Sequence, residues 1–348
     1  MALNHEIGVQ FPAPQHMNFK IREINKKWII AIFLIFAVGF FSGWFFLKYL
    51  NFKAVPENTI RETGYELIAP LLACGDSNSA DNKRLNEIKY QIEKYISDKK
   101  RSNDLIEASV YIRQPKSGNW VSINENKLYD PASLAKVPIM MTYFKLAEQN
   151  SDILNQTLFF DGKINSASLQ IIKPTLTLKA GQSYSIEDLI YYMIVNSNND
   201  AELLLYNNID KKVIENLYNE VSNYIETNGV DSDHISPKSY SIFFRLLYNA
   251  SYLNSAFSEK ALKLLTKTDF SQGLAAGLPK GVIAAQKFGE RDFADKNGKI
   301  YQSELHDCGI VYYPINNPYM ICVMTRGYNL NKLVDIIKNI SAIAYKSM

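Results

Sequence analysis

The chain has 348 residues, 47% of them hydrophobic, with 38 basic and 35 acidic residues and a formal net charge of +3. That is enough chain for a full core, in one domain or two closely joined lobes. The two signs are interspersed, which excludes a nucleic-acid footprint, and only His234 and His306 lie in the body of the chain, too few for a three-histidine zinc site.

The first element is an apolar run. Trp28 to Leu47 holds no charge and one clearly polar side chain, Ser42. At ~1.5 Å per residue it covers about 30 Å, the hydrocarbon thickness of a bilayer. It leads straight into Lys48-Tyr49-Leu50 with no small-residue cleavage site, so it reads as an uncleaved anchor in the lipid bilayer. Lys20, Arg22, Lys26 and Lys27 precede it and Lys48, Lys53 and Arg61 follow, a slight bias that keeps the N-terminus cytoplasmic. The expected organisation is a tail over 1–27, a transmembrane helix over 28–47, a linker over 48–80 and one extracytoplasmic body over 81–348. Of the cysteines Cys74, Cys308 and Cys322, an oxidising compartment allows one disulfide, and the sequence does not say which pair forms.

Leu85, Ile88, Ile92, Tyr95 and Ile96 have the spacing of an amphipathic helix. Strand-like segments around Ile106–Arg113 and Trp120–Ile123 flank a hairpin turn at Pro115-Lys116-Ser117-Gly118-Asn119. Ser133-Leu134-Ala135-Lys136 then opens a helix that is apolar nearly all round. Position i+3 shares a face with i, so the Lys136 amine can reach the Ser133 hydroxyl, a nucleophile beside its own base. The competing reading makes Ser133 a helix cap and lets Lys136 reach outward. A second S-x-x-K, Ser97 to Lys100, sits in a charged run and reads as a solvated helix end. Pro138 lies early in the Ser133 helix, where it should free a carbonyl near Leu134 and bend the helix.

The middle is helical. Ser185-Ile186-Glu187-Asp188 begins a helix through Val195, Ser236-Pro237 opens another through about Tyr248, and Ser258 begins a third. Between two apolar helices stands the polar turn Asn196-Ser197-Asn198-Asn199-Asp200. The last third is β-rich, with Val282–Glu290, Glu304–Tyr313 and Tyr319–Arg326 as strands, His306 ending one of them, and Asn331–Tyr345 as a closing helix. Gly289, late in an apolar strand after Lys287, marks a close approach. β-segments thus flank a helical block, and the sheet should draw strands from both chain ends.

Ser133-x-x-Lys136, Ser197-Asn198-Asn199 and Lys287-Phe288-Gly289, in that order, resemble the S-x-x-K, S-D-N and K-T-G elements of the penicillin-binding protein and serine β-lactamase superfamily, closest to class A. The resemblance covers roughly residues 80–348. It implies an α+β fold, three layers α/β/α, with an antiparallel sheet and an all-helical lobe. It implies that Ser133 attacks a carbonyl while Lys136 takes its proton, and that Ser197 relays a proton to the leaving nitrogen with help from Lys287. Asn199 would hold the substrate amide, and the backbone N–H groups of Ser133 and Glu290, beside Gly289, would form the oxyanion hole. The implied substrates are β-lactams or peptidoglycan peptides ending in D-Ala-D-Ala, with no metal and no cofactor. Phe288 lacks the hydroxyl that helps bind a substrate carboxylate, and Asn198 replaces an aspartate. Those two departures fit a non-catalytic binding module of the cell envelope. No E-x-x-L-N glutamate follows Asn199, and Glu226, the nearest substitute, reads rather as a surface glutamate at a helix end, so deacylation of a β-lactam ester is expected to be slow.

Overall fold

The structure is a computed structural model that describes residues 60–73, 82–163, 165–223, 233–312 and 318–348, with a few helical positions between 35 and 42. Most of the anchor expected over 28–47 lies outside the described residues, as do Cys74 and Glu226. No helix among the described residues is long and apolar enough to cross a membrane.

Part of the expected linker belongs to the body. β1 (Ile60–Arg61) pairs antiparallel with β2 (Leu71–Ala73). The segment between them buries Leu67 and Ile68 in the core. Its polar groups are satisfied by the domain: Leu67 and Ile68 donate their N–H to Glu259 Oε2, both at 3.2 Å, and the Leu67 carbonyl accepts from Tyr312 Oη at 2.9 Å. Arg61 donates to the carbonyls of Ala69 (2.7 Å) and Pro115 (2.6 Å) and to Asn249 Oδ1 (2.8 Å). Prolines and small residues suggested a linker here because the anchoring apolar pair is too short to carry a period.

α1 (Asn82–Arg101) follows, then β3 (Glu107–Arg113) and β4 (Trp120–Ile123). Ser97 and Lys100 are both exposed near the end of α1, as expected of a solvated face. After α2 (Lys136–Gln149) and the small hairpin β5 (Thr157–Phe160) and β6 (Gln182–Ser185) come the helices α3 (Ile186–Val195), α4 (Asn199–Asn207), α5 (Lys211–Asn223), α6 (Pro237–Tyr248) and α7 (Ser255–Leu265). β7 (Ile283–Ala294), β8 (Ile300–Tyr312), β9 (Tyr319–Gly327) and α8 (Leu330–Ser347) complete the chain. Capping explains most helix starts: Ser185 accepts from Asp188 N and Ser236 from Ser239 N, with Pro237 in the first turn. α7 starts earlier than expected, because Asn254 caps it by accepting from Phe257 N, and Ser258 is buried inside it.

One five-stranded antiparallel sheet has the order β4-β3-β9-β8-β7, so it does draw on both chain ends. α1 and α8 cover one face through Leu85, Ile88, Ile92, Leu333, Ile336 and Ile340. Each such side chain contributes roughly 1.5–3 kcal/mol by leaving water. The helical lobe covers the other face, where Met320, Cys322 and Met324 of β9 join the core of α2, α3 and α6. Cys308 and Cys322 are register partners on β8 and β9 and form a disulfide. His306 does not end its strand: it lies inside β8 opposite Gly289, fully buried.

Candidate active site

Ser133 sits in a 3-10 turn, Ala132–Ala135, that runs into α2, and its side chain caps nothing. The turn is held from behind. Asp130 Oδ1 accepts from Ala132 N at 2.8 Å, His306 Nε2 meets the Asp130 carbonyl at 3.0 Å, and Glu304 Oε2 accepts from Asp130 N at 3.2 Å. His306 therefore buttresses the turn and makes no hydrogen bond to Ser133. Pro138 falls in the first turn of α2, where proline is best tolerated because the carbonyl it leaves without an N–H lies in the 3-10 turn ahead of the helix. The expected loose carbonyl is Leu134's, and Tyr240 Oη donates to it at 3.0 Å. That hydroxyl supplies the missing donor without breaking the helix.

Lys136 opens α2 with its side chain fully buried. Its Nζ lies 2.8 Å from Ser133 Oγ, 3.3 Å from Ser197 Oγ, and 2.6 Å from both the Ser197 carbonyl and Asn199 Oδ1. Lys287 Nζ, equally buried on β7, donates to Ser197 Oγ at 2.8 Å and to the Phe288 carbonyl at 2.9 Å. A continuous polar path therefore runs Ser133–Lys136–Ser197–Lys287. Desolvation lowers the Lys136 pKa, partly offset by the charges of Glu202 and Glu290. Desolvation lowers that of Lys287 as well, followed by the Lys136 charge. A neutral Lys136 has two N–H donors and one lone pair. In that state the Ser197 carbonyl and Asn199 Oδ1 would take the two donors and leave the lone pair for the Ser133 hydroxyl.

Ser197 occupies the left-handed region, φ 54°, a conformation costly for a side chain with a Cβ and frequent at functional sites. The turn is pinned by Gln170, which sequence reasoning missed. Its Nε2 donates to the Ser197 carbonyl at 2.8 Å and its Oε1 accepts from Asn199 N at 3.0 Å. Gln170's segment is tied back by Asp200, whose Oδ1 accepts from Ser166 N and Ala167 N. Asn198 is the cap of α4: Oδ1 accepts from Ala201 N at 2.9 Å and Nδ2 donates to the Leu176 carbonyl at 3.2 Å. A carboxylate there could cap the helix but could not donate, so the departure from aspartate has a structural use.

Gly289 is where β7 meets the serine turn. A Cβ there would stand 2.9 Å from the Pro131 carbonyl oxygen, 3.0 Å from Ser133 N and 3.1 Å from Leu134 N. Phe288 is buried and stacked on Phe270, ring centroids 4.1 Å apart, so it serves the core. Glu290 Oε1 accepts from Ile172 N at 3.3 Å, and desolvation raises its pKa. Ser133, Gln170, Asn199, Glu202, Glu290 and Arg291 line one cleft of about 670 Å³. Arg291 pairs with Asp130 at 2.8 Å, which gives the cleft a cation on its rim.

Asp307 stands behind this site, fully buried, accepting from Leu274 N at 2.8 Å. Desolvation pushes its pKa from the ordinary 3.8 up to about 7. The fold then holds this proton over a window in which the unfolded chain has lost it, so stability should fall as pH rises from 3.8 to about 7 and level off above. The full effect is about 4 kcal/mol. Asp307→Asn cannot ionise, so its melting temperature relative to the unaltered protein should be several degrees higher at pH 8 than at pH 4. A difference independent of pH would refute the assignment.

Fold and site together define an active-site serine hydrolase. The chain belongs to the beta-lactamase enzyme family, whose model matches residues 87–348. Among solved structures, a PBP-A mutant captured as an acyl-enzyme complex with penicillin G is 20% identical, with 76% of this chain and 96% of that chain covered and a TM-score of 0.61. A β-lactamase from Chitinophaga pinensis is 15% identical over 75% of this chain and 99% of its own, TM-score 0.63. A class A β-lactamase from Mycobacterium abscessus is 17% identical over 76% and 98%, TM-score 0.58. At these identities the likeness is one of fold. No curated protein matches the chain significantly.

Proposed function

We propose that this protein is a membrane-anchored, extracytoplasmic serine hydrolase that forms an acyl-enzyme through Ser133 with β-lactams or with peptides ending in D-Ala-D-Ala. The observation that carries this reading is the Ser133–Lys136–Ser197–Lys287 path opening on a cleft. Lys136 takes the serine proton, Ser197 passes a proton to the leaving nitrogen, and Lys287 keeps Ser197 oriented. Ser133 N and Glu290 N receive the oxyanion, donors worth roughly 10²–10³ in rate each. Asn199 presents its Nδ2 to the substrate amide, its Oδ1 being engaged by Lys136. The penicillin G acyl-enzyme of the similarly folded PBP-A lends weight to the choice of substrate.

A binding module without catalysis is the weaker reading, because Asn198 and Phe288 have structural work that leaves the reacting groups intact. The charge-free run over 28–47 and the disulfide between Cys308 and Cys322 favour an anchored domain outside the cytoplasm. Two measurements test the proposal. On rapid mixing with a fluorescent penicillin, the full chain in membranes should acquire at least a transient covalent adduct, and its absence at every time point would refute acylation. In intact cells a membrane-impermeant thiol reagent should reach an engineered cysteine at Asn58, and protection there with access at Asn18 would invert the topology.

A further inference from the structure

An ester on Ser133 is released only if something activates water, and the expected sequence element for that is missing. We propose that Glu202 is the catalytic base of this step, orienting and deprotonating the water that attacks the ester carbonyl; this rests on the acyl-enzyme reading above. Glu202 stands three residues after Asn199 on α4, so the two side chains share a face of the helix and point at the same cleft. Its Oε2 lies 3.5 Å from Lys136 Nζ, which is itself 2.8 Å from Ser133 Oγ. Carboxylate and nucleophile can therefore be no farther apart than these two contacts laid end to end, a span that one bridging water covers.

Of the other cleft carboxylates, Asp130 is held by Arg291 and Ala132 N, Asp292 accepts from Ser303 Oγ, and Glu290 accepts from Ile172 N through Oε1. Glu202 is a quarter exposed, so water reaches it, while its contact with the buried Lys136 fixes its aim. In the step, a water oxygen bonds to the acyl carbon as Glu202 takes the proton. The tetrahedral intermediate collapses with cleavage of the bond between the acyl carbon and Ser133 Oγ. The proton passes from Glu202 through Lys136 to Oγ, which returns both groups to their starting state and releases the carboxylic acid.

The test follows penicillin G with the full chain by rapid mixing and intact-protein mass. The unaltered protein should be mostly free enzyme in the steady state, the reverse of the slow deacylation expected from the missing E-x-x-L-N glutamate. Glu202→Gln should acylate within a few-fold of the normal rate, release the acyl group about 10²–10⁴ more slowly and accumulate as the adduct, with Glu202→Asp partly restoring release. Four results would overturn the proposal. One is normal release from Glu202→Gln; another is loss of its acylation instead, the mark of a group that only tunes Lys136. A third is trapping by Glu290→Gln in place of Glu202→Gln, and the fourth is an unaltered protein that itself accumulates a stable adduct. If the unaltered protein never acquires an acyl group, the acyl-enzyme reading fails first and takes this inference with it, an outcome distinct from the other four.

Discussion

Ser133→Ala should acquire no covalent adduct from a penicillin at any exposure time, with a fold and melting temperature close to those of the unaltered protein. The proposed chemistry demands the first result, since Ser133 Oγ stands 2.8 Å from Lys136 Nζ and is the group the reading makes the nucleophile. Geometry supports the second. Ser133 Oγ caps no helix, so its loss leaves no helix end unsatisfied. Lys136 keeps the Ser197 carbonyl, Asn199 Oδ1 and Glu202 as partners, so no unpaired charge is stranded in the core. Mass spectrometry reads the adduct and circular dichroism the fold. An adduct on the folded variant would assign the nucleophile elsewhere. Ser197 is the first place to look, because Lys136 and Lys287 both reach its hydroxyl.

The parts of this site that could be read from the sequence are those in which local spacing decides geometry. Ser133 and Lys136 are one turn apart, so almost any helical conformation brings them together, and the structure does so in a 3-10 turn instead of the expected α-helix start. Lys287 and Gly289 alternate on one strand, and strand period alone puts both toward the serine turn. Gln170 and Glu202 were not visible because nothing local marks them. Gln170 sits in an irregular stretch whose position depends on Asp200 accepting two backbone donors from it. Glu202 matters only because α4 starts at Asn199, which aims it at Lys136. The N-terminal strap was misread for a related reason: Leu67 and Ile68 gain their burial from a surface formed by α6, α7 and β8, far away in sequence.

Gly289→Ala should slow acylation by about 10² or more while the protein still folds. The added methyl would press against the Pro131 carbonyl oxygen, Ser133 N and Leu134 N at 2.9, 3.0 and 3.1 Å. All three are backbone atoms of a turn that Asp130, Glu304 and His306 hold from behind, so that turn has little room to yield. β7 is the freer partner, because it is the edge of the sheet and pairs with β8 alone. It would shift outward, carrying Glu290 N away from Ser133 N and opening the pair of donors proposed to converge on one oxyanion. A misplacement of ~1 Å in a reacting geometry can cost about 10² in rate, and overpacking of this kind costs roughly 1–3 kcal/mol of stability. Lys287 rides on the same strand, so its contact with Ser197 Oγ should loosen as well and slow proton delivery to the leaving nitrogen. Stopped-flow acylation by a fluorescent penicillin measures the rate, and thermal melting confirms the fold. Labelling at the unaltered rate by a folded Gly289→Ala protein would mean that Glu290 N lies outside the oxyanion site.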